Sequence, residues 1–366
     1  YVLPYRGLRD NSLYHVELDQ DDGTSKGEHK QIKLRWSFHT GSATRATATP
    51  QAPSPTAVPS VGQQLIWYHG PYTDMHAVDW NGKPVKTRSD SQAGQSPDGA
   101  FLWHRFAPYP GDRPPGTITD ANGTVIGSVP GYQQMMWADD GAQFCAIGQA
   151  ASGGFELVLI TLDGKQHTVG PIVLPTAPPQ APALAACSDL SQQTLIVGQS
   201  SGYVWSLTLV SLRDGSVIYQ RPYPNPVARL VASHDGQLVA EQLGGNALSS
   251  PATLIRQLPS GTQLGKISGI VVEGFSWDGS LVAGGMAGNA SIQEARVIRW
   301  KTEEIVWKTC TCPNPSSVHV LAQPGGTKLV VIAGWNHDLD VSISIVDSKG
   351  TATTLNPDHT PIRPAF

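Results

Sequence analysis

Charge is scarce in this chain. Only 15% of its 366 residues are Asp, Glu, Lys or Arg, and 29 acids against 25 bases give a net charge of −4 with no lysine or arginine run. A nucleic-acid partner held through its phosphates needs a basic patch or stripe, and none is legible here. Long apolar runs are missing too: nothing approaches the roughly 20 residues that a membrane-spanning helix requires. Cysteine is confined to four positions. Cys310-Thr311-Cys312 leaves a tight local disulfide, a metal pair and two reduced thiols all open. A zinc site lacks a second closely spaced pair or nearby histidines. Cys145 and Cys187 fall on expected core strands of neighbouring repeats, where a small buried hydrophobe is the expectation. No secretory signal is present and the chain starts at Tyr1. The expectation is a processed product whose signal peptide or membrane anchor lay upstream.

What is plentiful is turn chemistry. With 38 Gly and 29 Pro, the composition suits an all-β protein of many short strands. The stretch Phe275–Gly285, FSWDGSLVAGG, gives the pattern: an apolar strand, an Asp-Gly turn, then a Val/Ala/Gly-rich strand. Gly accepts positive φ and Asp bonds its own backbone, so Asp-Gly between apolar runs signals a hairpin. The figure recurs at Ser96-Pro97-Asp98-Gly99, Ala138-Asp139-Asp140-Gly141 and Ser233-His234-Asp235-Gly236. It recurs in altered form at Ser188-Asp189-Leu190-Ser191 and Gln323-Pro324-Gly325-Gly326. The spacing is 42 to 49 residues, and turn-bounded strands at that period mean propeller blades.

A second turn series interleaves with the first: Asn81-Gly82, Asn122-Gly123, Asp163-Gly164, Asp214-Gly215, Ser260-Gly261, Thr302-Glu303-Glu304 and Lys349-Gly350. In a blade of strands a, b, c and d, the first series supplies six a–b turns and the second seven c–d turns. The first blade therefore lacks its own a strand, and Thr360–Phe366 is expected to fill the place, ahead of a strand from residues 1–40. The expected fold is an all-β, seven-bladed β-propeller of four-stranded blades, closed by the C-terminal strand in the first blade. Six blades plus an incomplete one is the alternative.

The SPDG and similar Asp-Gly turns, each followed by a Leu/Val/Ala strand, resemble the WD40-like repeats of TolB-type propellers over about residues 62–366. True WD40 repeats carry GH…WD pairs at blade spacing, which are absent here; Trp277-Asp278 sits in the wrong turn. The resemblance implies the propeller fold and leaves the activity open.

Residues 1–40 stand apart as a predicted hairpin arm. Leu13–Leu18 and Gln31–Phe38 alternate, with Ile32, Leu34, Trp36 and Phe38 on one face. Two strands alone are marginal in water, so that face needs a partner. Residues 41–61, rich in Pro, Thr, Ala and Ser, read as a linker or stalk, with the propeller over 62–366.

Candidate site residues come from the b–c loops, since aromatic and Arg residues on loops of a rigid scaffold are enriched at contact surfaces. They are Tyr72 in Gly70-Pro71-Tyr72, then Arg105, Phe106 and Tyr109 in the long Arg105–Gly116 loop, with Trp335 and His337. The run Trp335–Asp340 carries oxygen ligands but lacks the glycine turn and distal Glu of a calcium loop, so solvated loop polarity is the reading. Thr168–Pro182 and Gln242–Pro251 read as further long loops, the first carrying an exposed-looking Ile172-Val173-Leu174 run. His234 is expected to bond within its own blade. On the expected innermost strands Arg229, Glu273 and His319 are the ionisable residues, too few for acid–base or metal chemistry on the axis. The function expected is a non-catalytic, extracytoplasmic binding or assembly module, needing neither metal nor cofactor. It would contact protein partners, or itself, through the loop face and residues 1–40. The alternative is a carbohydrate- or peptide-binding or hydrolytic propeller with a shallow loop-face site. A sensor domain is a third, weaker reading.

Overall fold

The computed structural model describes residues 13–21, 31–39, 64–69, 74–89, 93–104, 115–132, 134–151, 153–175, 180–243, 252–288, 291–309, 317–335, 340–355 and 363–364. Among these residues the chain is all strand and turn, with no helix. It divides into two compact units, Tyr1–Ser60 and Val61–Phe366. Linker positions 41–61 lie outside the described residues.

The first unit holds an antiparallel ribbon of Leu13–Asp21 and Gln31–His39. Its register sets Ile32 opposite Gln20, Leu34 opposite Leu18, Trp36 opposite Val16 and Phe38 opposite Tyr14. By strand alternation these positions share one side of the ribbon.

The second unit is a propeller-like succession of antiparallel sheets. The first sheet comprises Leu65–His69, Asp74–Asp79 and Pro84–Ser89, with Arg363–Pro364 paired to its leading strand. The second runs Ala93–Gln95, Phe101–His104, Gly116–Asp120 and Val125–Val129. The third runs Gln134–Trp137, Gln143–Gln149, Phe155–Thr161 and Gln166–Pro171. A seven-stranded sheet then extends from Ala181–Ser188 to Thr262–Ser268. The penultimate sheet spans Ile270–Phe275 to Glu304–Lys308, and the last spans Ser317–Ala322 to Ala352–Thr354.

The Asp214-Gly215 and Ser233–Gly236 turns imply two strands between them, Val217–Gln220 and Val227–Ser233, and the seven-stranded sheet corrects that expectation. They form one strand, Val217–Ala232, whose first part pairs with Tyr203–Ser211 and whose second part pairs with Leu238–Leu243. The cause lies in Arg221-Pro222-Tyr223-Pro224-Asn225-Pro226. Each proline holds its own φ and the preceding residue in extended conformations, so the chain runs on instead of turning. Likewise Thr168–Pro182 is less loop than expected, since Gln166–Pro171 is a strand. Beyond it Ile172 and Leu174 pack into a core, and only Val173 of that trio is exposed.

The Ser-x-Asp-Gly turns show why the motif recurs. In Ser96–Gly99 the Ser96 hydroxyl donates to Asp98 Oδ1 at 2.7 Å and accepts from Phe101 N at 3.0 Å, and Gly99 N donates to Ser96 O. Ser233 with Asp235, and Ser276 with Asp278, repeat the arrangement. In the second series Glu303 takes the place of glycine at φ 55°.

Apolar cores lie between successive sheets. The first and second share Trp67, Met75 and Leu102; the second and third share Ile118, Phe144 and Ile160. The series continues along the chain, with one core formed between the two halves of the seven-stranded sheet itself. It ends with Ile66, Val78 and Trp80 of the first sheet against Val330, Ile332, Ile343 and Ile345 of the last. Polar contacts join the same two sheets: Lys328 Nζ donates to Trp80 O and to Asn81 Oδ1, each at 2.7 Å. A Cβ on Gly82 would stand 2.8 Å from Thr353 of the last sheet. One on Gly164 would stand 2.2 Å from Ser128 O of the preceding sheet, so these turns admit no side chain there.

Candidate functional site

Most of the loop positions singled out by the sequence, Tyr72, Arg105, Phe106, Tyr109 and His337, lie outside the described residues, as do Cys310 and Cys312. Trp335 ends the strand Leu329–Trp335, opposite Asp340. Ile32, Leu34, Trp36 and Phe38 are placed by backbone on the ribbon described above.

What the structure brings together is at the other end of the sheets. A cavity of about 460 Å³ lies where the leading strands of several sheets run into their Asp-Gly turns. Trp103 and Gln95 of the second sheet and Met135, Met136 and Trp137 of the third form one side. Ala185, Cys187, Ala232 and His234 of the seven-stranded sheet face them, with Trp277 and Val320 completing the wall. The strands leading toward the sequence candidates, Phe101–His104 and Leu329–Trp335, run away from this end, because a–b turns and b–c connections lie at opposite ends of an antiparallel pair.

The wall is built from packed rings. Trp137 and Phe144 lie 3.9 Å apart by centroid, and Trp103 meets Phe144 edge-on at 5.7 Å. His234 stacks on Trp277 of the next sheet at 3.6 Å and 15°. That corrects the expectation that His234 bonds within its own sheet. Burial holds its imidazole below the usual value, against the opposing pull of Asp235 and Asp139. Trp137 Nε1 and His234 Nδ1 are buried and have no hydrogen-bond partner.

The carboxylate and amide side chains at the cavity are already engaged. Gln95 accepts from Trp67 N at 2.7 Å and donates to Leu65 O and Ser96 O. Asp139 accepts from Ser188 Oγ at 2.5 Å, from Asp189 N at 2.8 Å and from Leu190 N at 3.3 Å, tying the third sheet to the next. Asp140 beside it, crowded by burial and by Asp189, has its carboxyl pushed up to about 6.

Elsewhere the acids Glu273 and Glu241 are also paired. Arg229 forms a two-pronged ion pair with Glu273 of the neighbouring sheet, and burial pushes Glu273 up to about 7 against the pull of that guanidinium. His319, the third residue named from the sequence, is exposed. Glu241, 1% exposed, accepts from Tyr223 Oη at 2.6 Å and from Arg256 Nε at 2.7 Å, with Arg221 3.6 Å away. Among the described residues no His, Cys, Asp or Glu group of three or more is placed to hold a metal. No helix there is long and apolar enough to cross a membrane.

Cys145 and Cys187 overturn the expectation of two buried thiols. They form a disulfide, Cα–Cα 6.0 Å, that joins the third sheet to the seven-stranded one. The sequence put them on neighbouring core strands; what it withheld was the cross-sheet distance.

No family model and no curated protein matches the chain. Among solved structures it is similar to a putative 6-phosphogluconolactonase from Bacteroides fragilis at 12% identity, covering 85% of this chain and 98% of that one, TM-score 0.49. It is also similar to the β-propeller domain of Myceliophteria thermophila Cps50 (Swd1), at 15% identity over 71% and 87% of the two chains, TM-score 0.46. A third is Saccharomyces cerevisiae Sqt1, at 10% identity over 82% and 87%, TM-score 0.44. Likenesses this remote say nothing of what the chain binds.

Proposed function

We infer that this chain is a non-catalytic, extracytoplasmic binding and assembly module built on a seven-bladed β-propeller. In this reading the seven-stranded sheet is two blades joined through Val217–Ala232, and Arg363–Pro364 completes the first blade. The Ser-x-Asp-Gly turns support a WD40-like, TolB-type repeat. The core shared by first and last sheets supports closure of the ring. A Cys145–Cys187 disulfide supports an oxidising compartment, because cytosolic reductants keep such thiols apart. Residues 1–40 form the arm, 41–61 the linker and 62–366 the propeller. Protein partners are met through the arm and the b–c loop face with Tyr72, Arg105, Phe106, Tyr109, Trp335 and His337.

The observation that carries the assembly role is the ribbon register. It sets Ile32, Leu34, Trp36 and Phe38 in line with Leu18, Val16 and Tyr14, giving a two-stranded unit an apolar side. An isolated two-stranded ribbon is marginally stable, so its apolar side gains from being covered by another chain. The test removes residues 1–40 and compares oligomer size by light scattering with the full chain. Loss of a dimer or higher oligomer is the expected outcome. An unchanged mass, with unchanged retention of protein partners, sinks the assembly role.

A further inference from the structure

We propose that the cavity at the Asp-Gly end of the channel is a binding site for a small, uncharged, aromatic molecule. Its volume of about 460 Å³ falls within the roughly 300–1,000 Å³ typical of small-ligand sites. Trp103, Trp137 and Trp277, with His234 stacked on the last, supply ring surface against which a planar ligand packs at offset or edge-on geometry. Met135 and Met136 add polarizable side chains that adapt to an irregular outline.

The ligand's charge follows from what the wall lacks. Asp139 is occupied by three donors and Gln95 by the first sheet, while burial keeps His234 toward its neutral form. The Trp137 Nε1 and His234 Nδ1 nitrogens are buried and so are not offered to a ligand. An anion would meet the Asp139 carboxylate with no cation at the wall, and a cation would find both oxygens of that carboxylate already held by three donors. A polypeptide segment fares badly for the same reason, because its backbone N–H and C=O groups would enter without partners. A compact neutral aromatic molecule has neither difficulty.

The test uses the full chain and two dyes that share a ring skeleton: N-phenyl-naphthylamine, which is neutral, and anilinonaphthalene sulfonate, which is anionic. Titration is followed by quenching of tryptophan emission and by dye fluorescence. One saturable site for the neutral dye is expected, with the sulfonate at least about tenfold weaker, and no displacement by tetramethylammonium. Ala232→Phe and Ala185→Phe each project a ring into the cavity, and either folded variant should weaken the neutral dye at least about tenfold. If neither variant folds, the ratio of the two dyes on the wild-type chain decides alone. Absence of a saturable neutral-dye site, equal affinity for both dyes, displacement by tetramethylammonium, or a folded variant that binds like wild type would each overturn the proposal.

Discussion

Opening the Cys145–Cys187 bond tests the joint between the third sheet and the next. The bond closes a loop of 42 residues. In the chain-entropy treatment a loop of that length confines the unfolded chain by about 4 kcal/mol at room temperature. Both cysteines are buried, so Cys145→Ala with Cys187→Ala leaves no new polar atom inside and adds roughly 1 kcal/mol for lost packing. The assay is urea unfolding of the full chain, read by tryptophan fluorescence, for the oxidised protein, the reduced protein and the double variant. The reduced protein should lose about 4 kcal/mol and the double variant slightly more. Alkylation of the unfolded, unreduced protein should label neither Cys145 nor Cys187. Labelling of both, or a stability loss below about 1 kcal/mol, would refute the reasoning.

Glu241→Gln removes the charge that Arg256 and Arg221 share in a buried site, and should cost about 3 kcal/mol in the same urea assay. Tyr223→Phe, which deletes only the 2.6 Å hydrogen bond to Glu241, should cost about 1 kcal/mol. Gly164→Ala meets Ser128 O at a positive φ of 83°, whereas Gly153→Ala at φ 84° meets nothing within 4 Å. The first should therefore lose at least about 2 kcal/mol more than the second, measured by thermal or urea unfolding. Asp140 holds its proton more tightly folded than unfolded, so its stabilising contribution is present near pH 4 and lost as pH rises through about 6. Asp140→Asn keeps the oxygen that accepts from Ala142 N, and should gain about 1 kcal/mol at pH 7 and nothing at pH 4. That figure is discounted from the full shift because Asp140 is exposed. Equal stability curves for variant and wild type across that range would refute it.

Local signals gave the repeat, and distance withheld the rest. Asp98, Asp235 and Asp278 stand in the turns their spacing implied because a Ser-x-Asp-Gly turn closes on itself, through Ser Oγ, Asp Oδ1 and the following N–H groups. Lys349-Gly350, Asp163-Gly164 and the glycine-free Thr302–Glu304 turn were readable for the same reason. Val217–Ala232 was divided because a four-stranded repeat puts a break between its units, whereas three prolines here hold the run extended. Cys145 and Cys187, 42 residues apart, meet across two sheets, a relation fixed by how sheets stack and invisible to any window on the sequence. The ribbon pairing of Trp36 with Val16 and Leu34 with Leu18 was within reach, since alternation and a polar turn set it.

The site was missed for a further reason: the residues that signal architecture most loudly are the ones least free to act. A carboxylate that accepts from a serine hydroxyl and a backbone N–H has one oxygen committed within the turn, as Asp98, Asp235 and Asp278 have at Oδ1. The aromatic and Arg residues of the b–c loops therefore pointed away from the Asp-Gly end, where the turn carboxylates bond locally and ring side chains line the cavity. The usable signal was the tryptophan placed at two of the turns: Trp137 one residue ahead of Ala138-Asp139-Asp140-Gly141, and Trp277 within Ser276–Gly279. A tryptophan in that position does not join the turn's hydrogen bonds through its ring, and both rings line the cavity. Large apolar side chains there stand where turn formation leaves space, and their convergence from successive sheets makes a cavity wall that no single repeat encodes.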